Sequence, residues 1–141
     1  MAKADIERVF QVPTEKLYEC IVDYASYPDF VEGVSSIKVL ESNDQGARVE
    51  YSLNMIKTFS YVLKMTHQKP NKVSWELEGG DIFKINQGSW NLSDRGDGTT
   101  DVKYNLEVDF KGFAPKAIIN KLVANNLPSM MDQYESRAKS L

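Results

Sequence analysis

Two side chains with broad catalytic and metal-binding chemistry occur once each in this chain, Cys20 and His67. A zinc site needs about four thiolate, imidazole or carboxylate ligands, and a serine or cysteine nucleophile needs a histidine base beside it. The two residues are far apart in sequence, and no Gly-x-Ser-x-Gly turn is present to display a nucleophilic serine. We therefore expect no metal site, no catalytic residue and no cofactor.

His67 lies in phase with the alternating apolar residues of segment 59–65, which places its side chain on the covered face of a predicted strand. A structural or rim histidine is the simpler interpretation, because an unperturbed imidazole is common in proteins. The alternative interpretation is a minor role in hydrogen-bonding the headgroup of a ligand.

The glycine-rich and acidic segments form no recognisable site. Gly79-Gly80 and Gly96-Asp97-Gly98 lack the lysine and the serine or threonine of a phosphate-binding loop, so we interpret them as turns. Acidic residues such as Asp5 and Glu7 are scattered at solvent-facing positions. Such scattering gives no support for a carboxylate pair that would work as acid and base.

Large aromatic and methionine side chains recur at alternating positions through the middle of the chain. The residues in phase with one covered face are Tyr51, Met55, Phe59, Tyr61, Met65, Trp75, Trp90 and Tyr104. Ordinary core packing accounts for most of them, since a sheet under one helix must be filled by bulky side chains. Their chemistry also suits an apolar pocket, where tyrosine hydroxyls and indole N–H groups supply a few polar contacts and methionine adapts to irregular guests.

These residues lie on a predicted run of antiparallel strands. Alternation of apolar and polar residues, punctuated by turn residues, indicates consecutive strands with one wet and one covered face. The predicted strands span residues 6–12, 36–41, 47–55, 59–66, 73–78, 82–92 and 101–110. Gly88, inside one of them, predicts a bulge or a bend.

Helices must cover the apolar face of this sheet. Helical spacing begins near Pro13 and Thr14 and ends before Tyr27, and residues 28–32 form a second, very short helix. From Pro115 onward a long helix, which Pro128 should kink, carries a broad apolar stripe. The stripe consists of Ile118, Ile119, Leu122, Val123, Leu127, Met130, Met131 and Tyr134. The predicted fold class is α+β, with two short helices after the first strand.

Three segments, in this order, carry a resemblance to a known family. They are Asp23-Tyr24-Ala25-Ser26-Tyr27-Pro28-Asp29-Phe30-Val31, then 100–104 leading to Phe110, then 131–138, which ends in Arg-Ala. They resemble the polyketide cyclase/dehydrase group of START-like proteins, nearest its coenzyme Q-binding and ribosome-association-toxin members. The resemblance covers nearly the whole chain. It implies the helix-grip fold, shared with birch-pollen-allergen-like proteins, in which a curved antiparallel sheet of six to seven strands wraps a long C-terminal helix. We expect residues 1–141 to form one such domain.

The resemblance also implies a cavity between the sheet and the C-terminal helix. Such a cavity would bind or transport a hydrophobic small molecule, either a lipid, an isoprenoid quinone or a polyketide-like compound. The implied ligand-binding residues are Tyr51, Leu53, Met55, Phe59, Tyr61, Leu63, Met65, Trp75, Trp90, Tyr104, Leu106, Ile119, Leu122 and Val123. We expect Phe30 and Phe113 at the entrance, either as buried anchors or as a lid that favours docking at a membrane surface.

Two other functions fit the same resemblance. One is a partner-binding protein that associates with the ribosome or another complex, as the toxin-type relatives do. The other is a polyketide cyclase or dehydratase in which a tyrosine or His67 acts as acid or base. Nothing in the residues demands catalysis, so the enzymatic alternative ranks last.

Composition and charge limit the partners. Hydrophobic residues make up 42% and charged residues 26% of the chain, as in ordinary soluble proteins. A net charge of −3 provides no overall basic face for phosphates, so we expect no specific DNA binding. Residues 1–5 do not resemble a signal peptide, and no segment approaches the roughly 18 apolar residues of a membrane span. We expect a cytoplasmic protein whose membrane contact, if any, is peripheral.

Overall fold

The computed structural model describes residues 2–31, 34–54, 58–112 and 126–141. The strands formed by these residues are β1 Ala2–Phe10, β2 Val34–Asn43, β3 Gly46–Asn54, β4 Thr58–Gln68, β5 Lys72–Gly80, β6 Phe83–Asp94 and β7 Thr100–Phe110. The helices are α1 Thr14–Val22, α2 Tyr27–Phe30 and the C-terminal α3 Asn126–Lys139, with a short 3₁₀ turn at Tyr24–Ser26 between the first two.

The strands form one antiparallel sheet in the order β1-β7-β6-β5-β4-β3-β2. Strands β2 to β7 follow one another as a meander, and β1 pairs with β7. Register shifts interrupt the β2–β3, β4–β5 and β6–β7 ladders. Because such irregularities bend a strand and increase its twist, they contribute to the curvature of the sheet. The α+β class and the curved sheet of six to seven strands are confirmed.

The alternation that predicted the strands is confirmed in their burial. On β4 the side chains of Phe59, Tyr61, Leu63 and Met65 are buried, and their neighbours along the strand are half-buried or exposed. Most strands extend further than predicted at one or both ends. In β2, for example, most side chains are exposed and polar, so the apolar alternation does not show where the strand begins and ends. The buried residues of β3 through β7 therefore share one face of the sheet.

The first two helices differ from the prediction at their ends. Helix α1 buries Leu17, Cys20 and Ile21 on one stripe, as predicted, but it ends at Val22. The backbone of Asp23, with φ −83° and ψ 66°, leaves the helical region and starts the 3₁₀ turn that holds Tyr24. Helix α2 then begins at Tyr27 and accommodates Pro28 in its first turn. Backbone N–H groups in a first turn have no partner within the helix, so the missing N–H of proline costs no hydrogen bond there.

Gly88 does not mark a bulge in the β6–β7 ladder, and the alternative prediction of a bend stays a prediction. The β6–β7 ladder runs through it in register, opposite Leu106, and the irregularity lies between Phe83 and Ile85. A methyl group at position 88 would meet the backbone carbonyl of Asn105 and lie 2.7 Å from the ring of Trp75. Glycine at this position therefore allows an indole ring to approach the sheet closely.

Helix α3 is tied to the first strand by charged groups. The guanidinium of Arg8 contacts the carboxylates of Asp132 and Glu135, each at 3.0 Å. The second oxygen of Glu135 accepts the backbone N–H of Gln11 at 2.6 Å. Among the described helices, none has the length and apolar character needed to cross a membrane. The part of the predicted C-terminal helix before residue 126 lies outside the described residues, so the kink at Pro128 stays a prediction.

Candidate functional site

A cavity of about 150 Å³ lies between the sheet and helix α3. Its lining comes from five strands of the meander, β3 to β7, together with α2, the start of β2 and α3. The described residues of the lining are Tyr27, Val31, Val34, Tyr51, Leu53, Tyr61, Leu63, Met65, Trp75, Phe83, Asn86, Trp90, Tyr104, Leu106, Val108, Leu127, Met130, Gln133 and Tyr134. The cavity therefore has an apolar wall made of aromatic and aliphatic side chains in similar numbers.

Most of the expected ligand-binding residues come together around this cavity. Those in its lining are Tyr51, Leu53, Tyr61, Leu63, Met65, Trp75, Trp90, Tyr104 and Leu106. Phe59 shares their strand face and is 9% exposed, but it is absent from the lining. Met55, Phe113, Ile119, Leu122 and Val123 lie outside the described residues. Whether any of these residues binds a ligand stays a prediction.

Sequence reasoning missed other members of the lining. Four of them lie at apolar positions that the sequence pattern had identified, on the last predicted strand or on the apolar stripe of the C-terminal helix, but they were not selected as ligand-binding residues. They are Val108, Leu127, Met130 and Tyr134. Asn86 carried no usable signal: the irregular register near Phe83 breaks the alternation of β6. Tyr27, Val31 and Val34 lie where the chain passes from α2 into β2, a region without periodicity.

The aromatic rings of the wall contact one another closely. Tyr51 and Tyr61 are cross-strand partners on β3 and β4, and their rings stack with centroids 5.3 Å apart and planes 1° from parallel. Trp90 meets the rings of Tyr104 and Tyr134 edge-on, each at 4.8 Å. Such pairs add to the burial of the rings and fix their orientations. The wall is therefore held in shape by its own contacts.

Polar atoms in this wall fall into two groups. The indole N–H of Trp75 donates to the side-chain oxygen of Asn86 at 3.0 Å, and the hydroxyl of Tyr27 donates to the carbonyl of Ile21. Within the described residues, by contrast, the hydroxyls of Tyr51, Tyr61 and Tyr104 make no hydrogen bond to the protein. Since no fully buried side-chain nitrogen or oxygen there lacks a partner, these hydroxyls are reached by the open space of the cavity. These three hydroxyls are available to whatever enters the cavity.

Burial governs the protonation of the same tyrosines. It raises the pKa of Tyr51 well above its ordinary value, and nearby tyrosines, with Tyr134 the strongest, raise it further. Burial likewise raises the pKa of Tyr61 and of Tyr104. All three side chains are therefore neutral phenols at physiological pH, and each can donate one hydrogen bond.

His67 does not reach the cavity, which counts against a role with a ligand headgroup. Its Nε2 lies 2.7 Å from the hydroxyl of Tyr24, and the imidazole and phenol rings stack at 5.9 Å. The ring of Tyr18 meets it edge-on at 6.4 Å. Burial lowers the pKa of His67, and a hydrogen bond to the backbone of Asn43 partly offsets this. The imidazole is a neutral group with its own protein partners.

Cys20 is also outside the cavity. Its thiol donates to the backbone carbonyl of Tyr134, with 3.7 Å between sulfur and oxygen. Burial raises the pKa of this thiol to about 12, so the nucleophilic thiolate is not populated at neutral pH. Within the described ranges, no three histidine, cysteine or acidic side chains come together as a metal site would require.

Phe30, expected at the entrance, contacts the wall from outside the lining. Its half-buried ring meets those of Tyr27 and Tyr134 edge-on at 5.7 Å and 5.4 Å, and the guanidinium of Arg137 lies 5.4 Å from its centroid. Tyr27 and Tyr134 themselves line the cavity, so Phe30 contacts two wall residues without being part of the lining. A role for Phe30 in the entrance stays a prediction.

Known proteins share both this sequence pattern and this shape. The chain is 24% identical, over 130 residues, to the ribosome association toxin RatA of Pseudomonas aeruginosa, covering 92% of this chain and 90% of the relative. A crystal structure of the Zhui aromatase/cyclase from Streptomyces sp. R1128 superposes with a TM-score of 0.85 at 10% identity, covering 98% of this chain and 93% of the other. The structure of a START superfamily protein from Mycobacterium smegmatis superposes with a TM-score of 0.83 at 16% identity, covering 98% of this chain and 97% of the other.

The shared shape is that of the helix-grip fold, in agreement with the expectation from the sequence. At such low identities the structural likeness shows the fold alone. The sequence match to a family is broader: the family described as polyketide cyclase / dehydrase and lipid transport matches residues 10–135, which include every element from the end of β1 to most of α3. This chain therefore belongs to the polyketide cyclase / dehydrase and lipid transport family.

Proposed function

We propose that this protein binds a hydrophobic small molecule in the cavity between its sheet and its C-terminal helix. The observation that carries the proposal is a space of about 150 Å³ whose wall is mainly aromatic and aliphatic. A well-formed apolar pocket with a few convergent polar groups is the usual form of a small-molecule site. The family description, which names lipid transport, supports the same function.

Burial of apolar surface would supply the binding free energy. At about 25 cal/mol per Å², each 100 Å² of apolar ligand surface removed from water contributes about 2.5 kcal/mol before the costs of association. A cavity of about 150 Å³ accommodates one ring or a short branched chain, since engineered cavities of that size bind benzene. A longer lipid or polyketide would place only one such portion here.

Binding without catalysis fits the described wall best. In the described lining the ionisable side chains are tyrosines whose pKa values burial raises, and no imidazole or carboxylate is among them. General acid–base catalysis at neutral pH works best with groups that titrate near that pH. The described lining therefore gives no support to the proton-transfer groups that a cyclase would need.

A second function, association with the ribosome, is favoured by one comparison. The curated relative with 24% identity is a ribosome association toxin, and the match spans 92% of this chain. A net charge of −3 disfavours direct contact with ribosomal RNA, because phosphate contacts require basic groups. Co-sedimentation with purified ribosomes, measured at two salt concentrations, tests this alternative independently of the cavity.

The binding proposal is tested by filling the cavity. Protein purified without detergent is examined by native mass spectrometry for a bound apolar compound, and the compound is identified after solvent extraction. Leu106 lies in the cavity wall, so Leu106→Trp should occupy the space and reduce the bound fraction at least fivefold. Circular dichroism checks that the variant remains folded.

Leu77 provides the matched control. It is half-buried like Leu106 and lies on β5, but it is absent from the described cavity lining. Leu77→Trp adds the same indole without filling the cavity, so it should keep the bound compound. A folded Leu106→Trp variant that retains the compound as well as Leu77→Trp does would place the binding site elsewhere and refute the proposal.

A further inference from the structure

The hydroxyl of Tyr24 and the imidazole of His67 form a buried acid–base pair that the proposed binding function does not use. The hydroxyl oxygen lies 2.7 Å from Nε2, and Tyr24 is only 3% exposed. The imidazole also makes a hydrogen bond to the backbone of Asn43, so Nδ1 carries the hydrogen and Nε2 accepts the hydrogen bond of Tyr24. A proton can therefore pass from the phenol to the imidazole while both rings stay in place.

This base distinguishes Tyr24 from the other six tyrosines. His67 is the only histidine of the chain, and its Nε2 is occupied by Tyr24. Tyr27 donates to the carbonyl of Ile21, which is a much weaker base, and no tyrosine hydroxyl is hydrogen-bonded to a carboxylate within the described residues. One-electron oxidation makes a phenol strongly acidic, and a stable tyrosyl radical forms only where a base takes the proton. Tyr24 is therefore the tyrosine best placed to give up one electron.

A continuous row of aromatic rings joins Tyr24 to the cavity wall. Neighbouring ring centroids along the row are 5.6, 4.8, 4.8, 5.6 and 5.6 Å apart. This row, the aromatic chain, consists in order of Trp75, Tyr104, Trp90, Tyr134, Tyr27 and Tyr24. Its first five members line the cavity, and all six are at most 9% exposed. Electrons pass between aromatic rings in contact, so Tyr24 can donate an electron to the cavity although no substrate can touch it.

We propose that Tyr24 and His67 are a redox-active pair that reduces a one-electron oxidant, of the class of alkoxyl radicals, in the cavity. The alkoxyl radical gains one electron through the aromatic chain and takes a proton from water, which leaves an alcohol and hydroxide. Tyr24 loses that electron. Its O–H bond breaks, and the proton forms a new N–H bond at Nε2 of His67. The protein is left with a neutral tyrosyl radical and an imidazolium ion. This activity goes beyond ligand binding and needs no resident ligand.

The inference is tested by oxidising the cavity wall directly. A short ultraviolet pulse ionises Trp75 and Trp90, the two tryptophans of the chain, and chloropentaamminecobalt(III) takes up the ejected electron irreversibly. Transient absorption at pH 7.5 follows the decay of the tryptophan radical and the rise of a tyrosyl radical. Electron paramagnetic resonance of rapidly frozen samples measures the tyrosyl yield. In the natural protein the tryptophan radical should be replaced by a tyrosyl radical.

Four variants, each checked for folding by circular dichroism, locate this radical and its route. Tyr24→Phe should lower the tyrosyl yield at least fivefold, and His67→Gln should do the same, because an amide accepts a hydrogen bond but does not hold the proton. Tyr134→Phe keeps both tryptophans but interrupts the aromatic chain, so the tyrosyl radical should form about tenfold more slowly. Tyr18→Phe is the matched control: Tyr18 is 4% exposed and meets His67 edge-on, and its loss should leave yield and rate unchanged.

Each contrary outcome removes a stated part of the inference. An undiminished tyrosyl yield in folded Tyr24→Phe would assign the radical to another tyrosine, and an undiminished yield in folded His67→Gln would exclude the imidazole as proton acceptor. Either result overturns the redox pair. An unchanged rate in Tyr134→Phe would overturn the route, and a tryptophan radical that decays without any tyrosyl signal in the natural protein would overturn the activity. None of these results affects apolar binding, which native mass spectrometry tests separately.

Discussion

Two regions of the buried interior differ in how completely the protein fills them. The packed region, here Phe10, Leu17, Ile21, Thr100 and Met131, has side chains that are all 0% exposed and that are absent from the cavity lining. The cavity region, here Tyr51, Tyr61, Leu63, Trp75 and Tyr104, has side chains that are between 5% and 9% exposed and that line the cavity. Both regions lie under the same sheet.

The regions also differ in their polar groups. In the packed region the hydroxyl of Thr100 donates to the carbonyl of Val12 at 2.8 Å and lies 2.9 Å from the hydroxyl of Thr14. In the cavity region the hydroxyls of Tyr61 and Tyr104 have no partner among the described residues. The packed region therefore satisfies its polar groups within the protein, whereas the cavity region leaves hydroxyls facing open space, as the proposed binding function requires.

The same substitution in the two regions should therefore have unequal costs. Leu17→Ala should lower the free energy of unfolding by about 3–5 kcal/mol, because it leaves a new void among tightly packed atoms. Leu63→Ala should cost about 2 kcal/mol, because Leu63 already faces an empty space on one side and has fewer contacts to lose. Urea denaturation followed by circular dichroism measures both values.

A ligand provides a control for the predicted difference in unfolding free energy between Leu17→Ala and Leu63→Ala. An apolar compound such as acetophenone should raise the thermal midpoint of the Leu63→Ala variant, because it fills the enlarged cavity and binds only the folded state. The same compound should raise the thermal midpoint of Leu17→Ala by no more than it raises the thermal midpoint of the natural protein. Equal free-energy losses for the two variants would show that the cavity region is packed as densely as the other.

Removal of a hydroxyl should also have different effects on stability in the packed region and in the cavity region. Thr100→Val should destabilise the protein by about 1–3 kcal/mol, because the carbonyl of Val12 and the hydroxyl of Thr14 lose their buried partner. Tyr61→Phe should change stability by less than about 0.5 kcal/mol, since its hydroxyl has no partner among the described residues. A loss above 1 kcal/mol for Tyr61→Phe would mean that this hydroxyl is engaged within the protein.

The fold was predictable from the sequence because strand alternation is a local property. Each strand of the meander from β3 to β7 alternates apolar and polar residues, and turn residues separate the strands. The end of α1 was not predictable in the same way. Tyr24 continues the helical spacing of Leu17 and Ile21, but the backbone at Asp23 breaks the helix before it, and no side-chain pattern reports that backbone angle.

The sequence pattern did not predict which inward-facing residues are tightly packed and which line the cavity. Val49 and Tyr51 are successive inward residues of β3, yet Val49 is fully buried outside the lining and Tyr51 lines the cavity. Phe59 shares the phase of Tyr61 but is absent from the lining. Alternation reports which face a side chain occupies, whereas a cavity depends on how far the helix stands from the sheet at that point.

The smallest effect concerns pH and His67. Because burial lowers its pKa in the folded state, the unfolded chain binds the proton more readily. Stability should therefore be greatest above the unfolded pKa of about 6.5 and should fall as the pH drops below it. Urea denaturation between pH 8 and pH 5.5 should show this decrease in the natural protein and a smaller one in His67→Gln.

Ligand affinity should behave differently over the same pH range. His67 lies outside the described lining and is paired with Tyr24, and the tyrosines of the wall stay neutral because their pKa values are raised. The affinity for acetophenone should therefore be unchanged between pH 8 and pH 5.5, even where stability decreases. An affinity that follows the titration of His67, and that becomes independent of pH in His67→Gln, would connect the imidazole to the cavity and contradict the separation of the two regions.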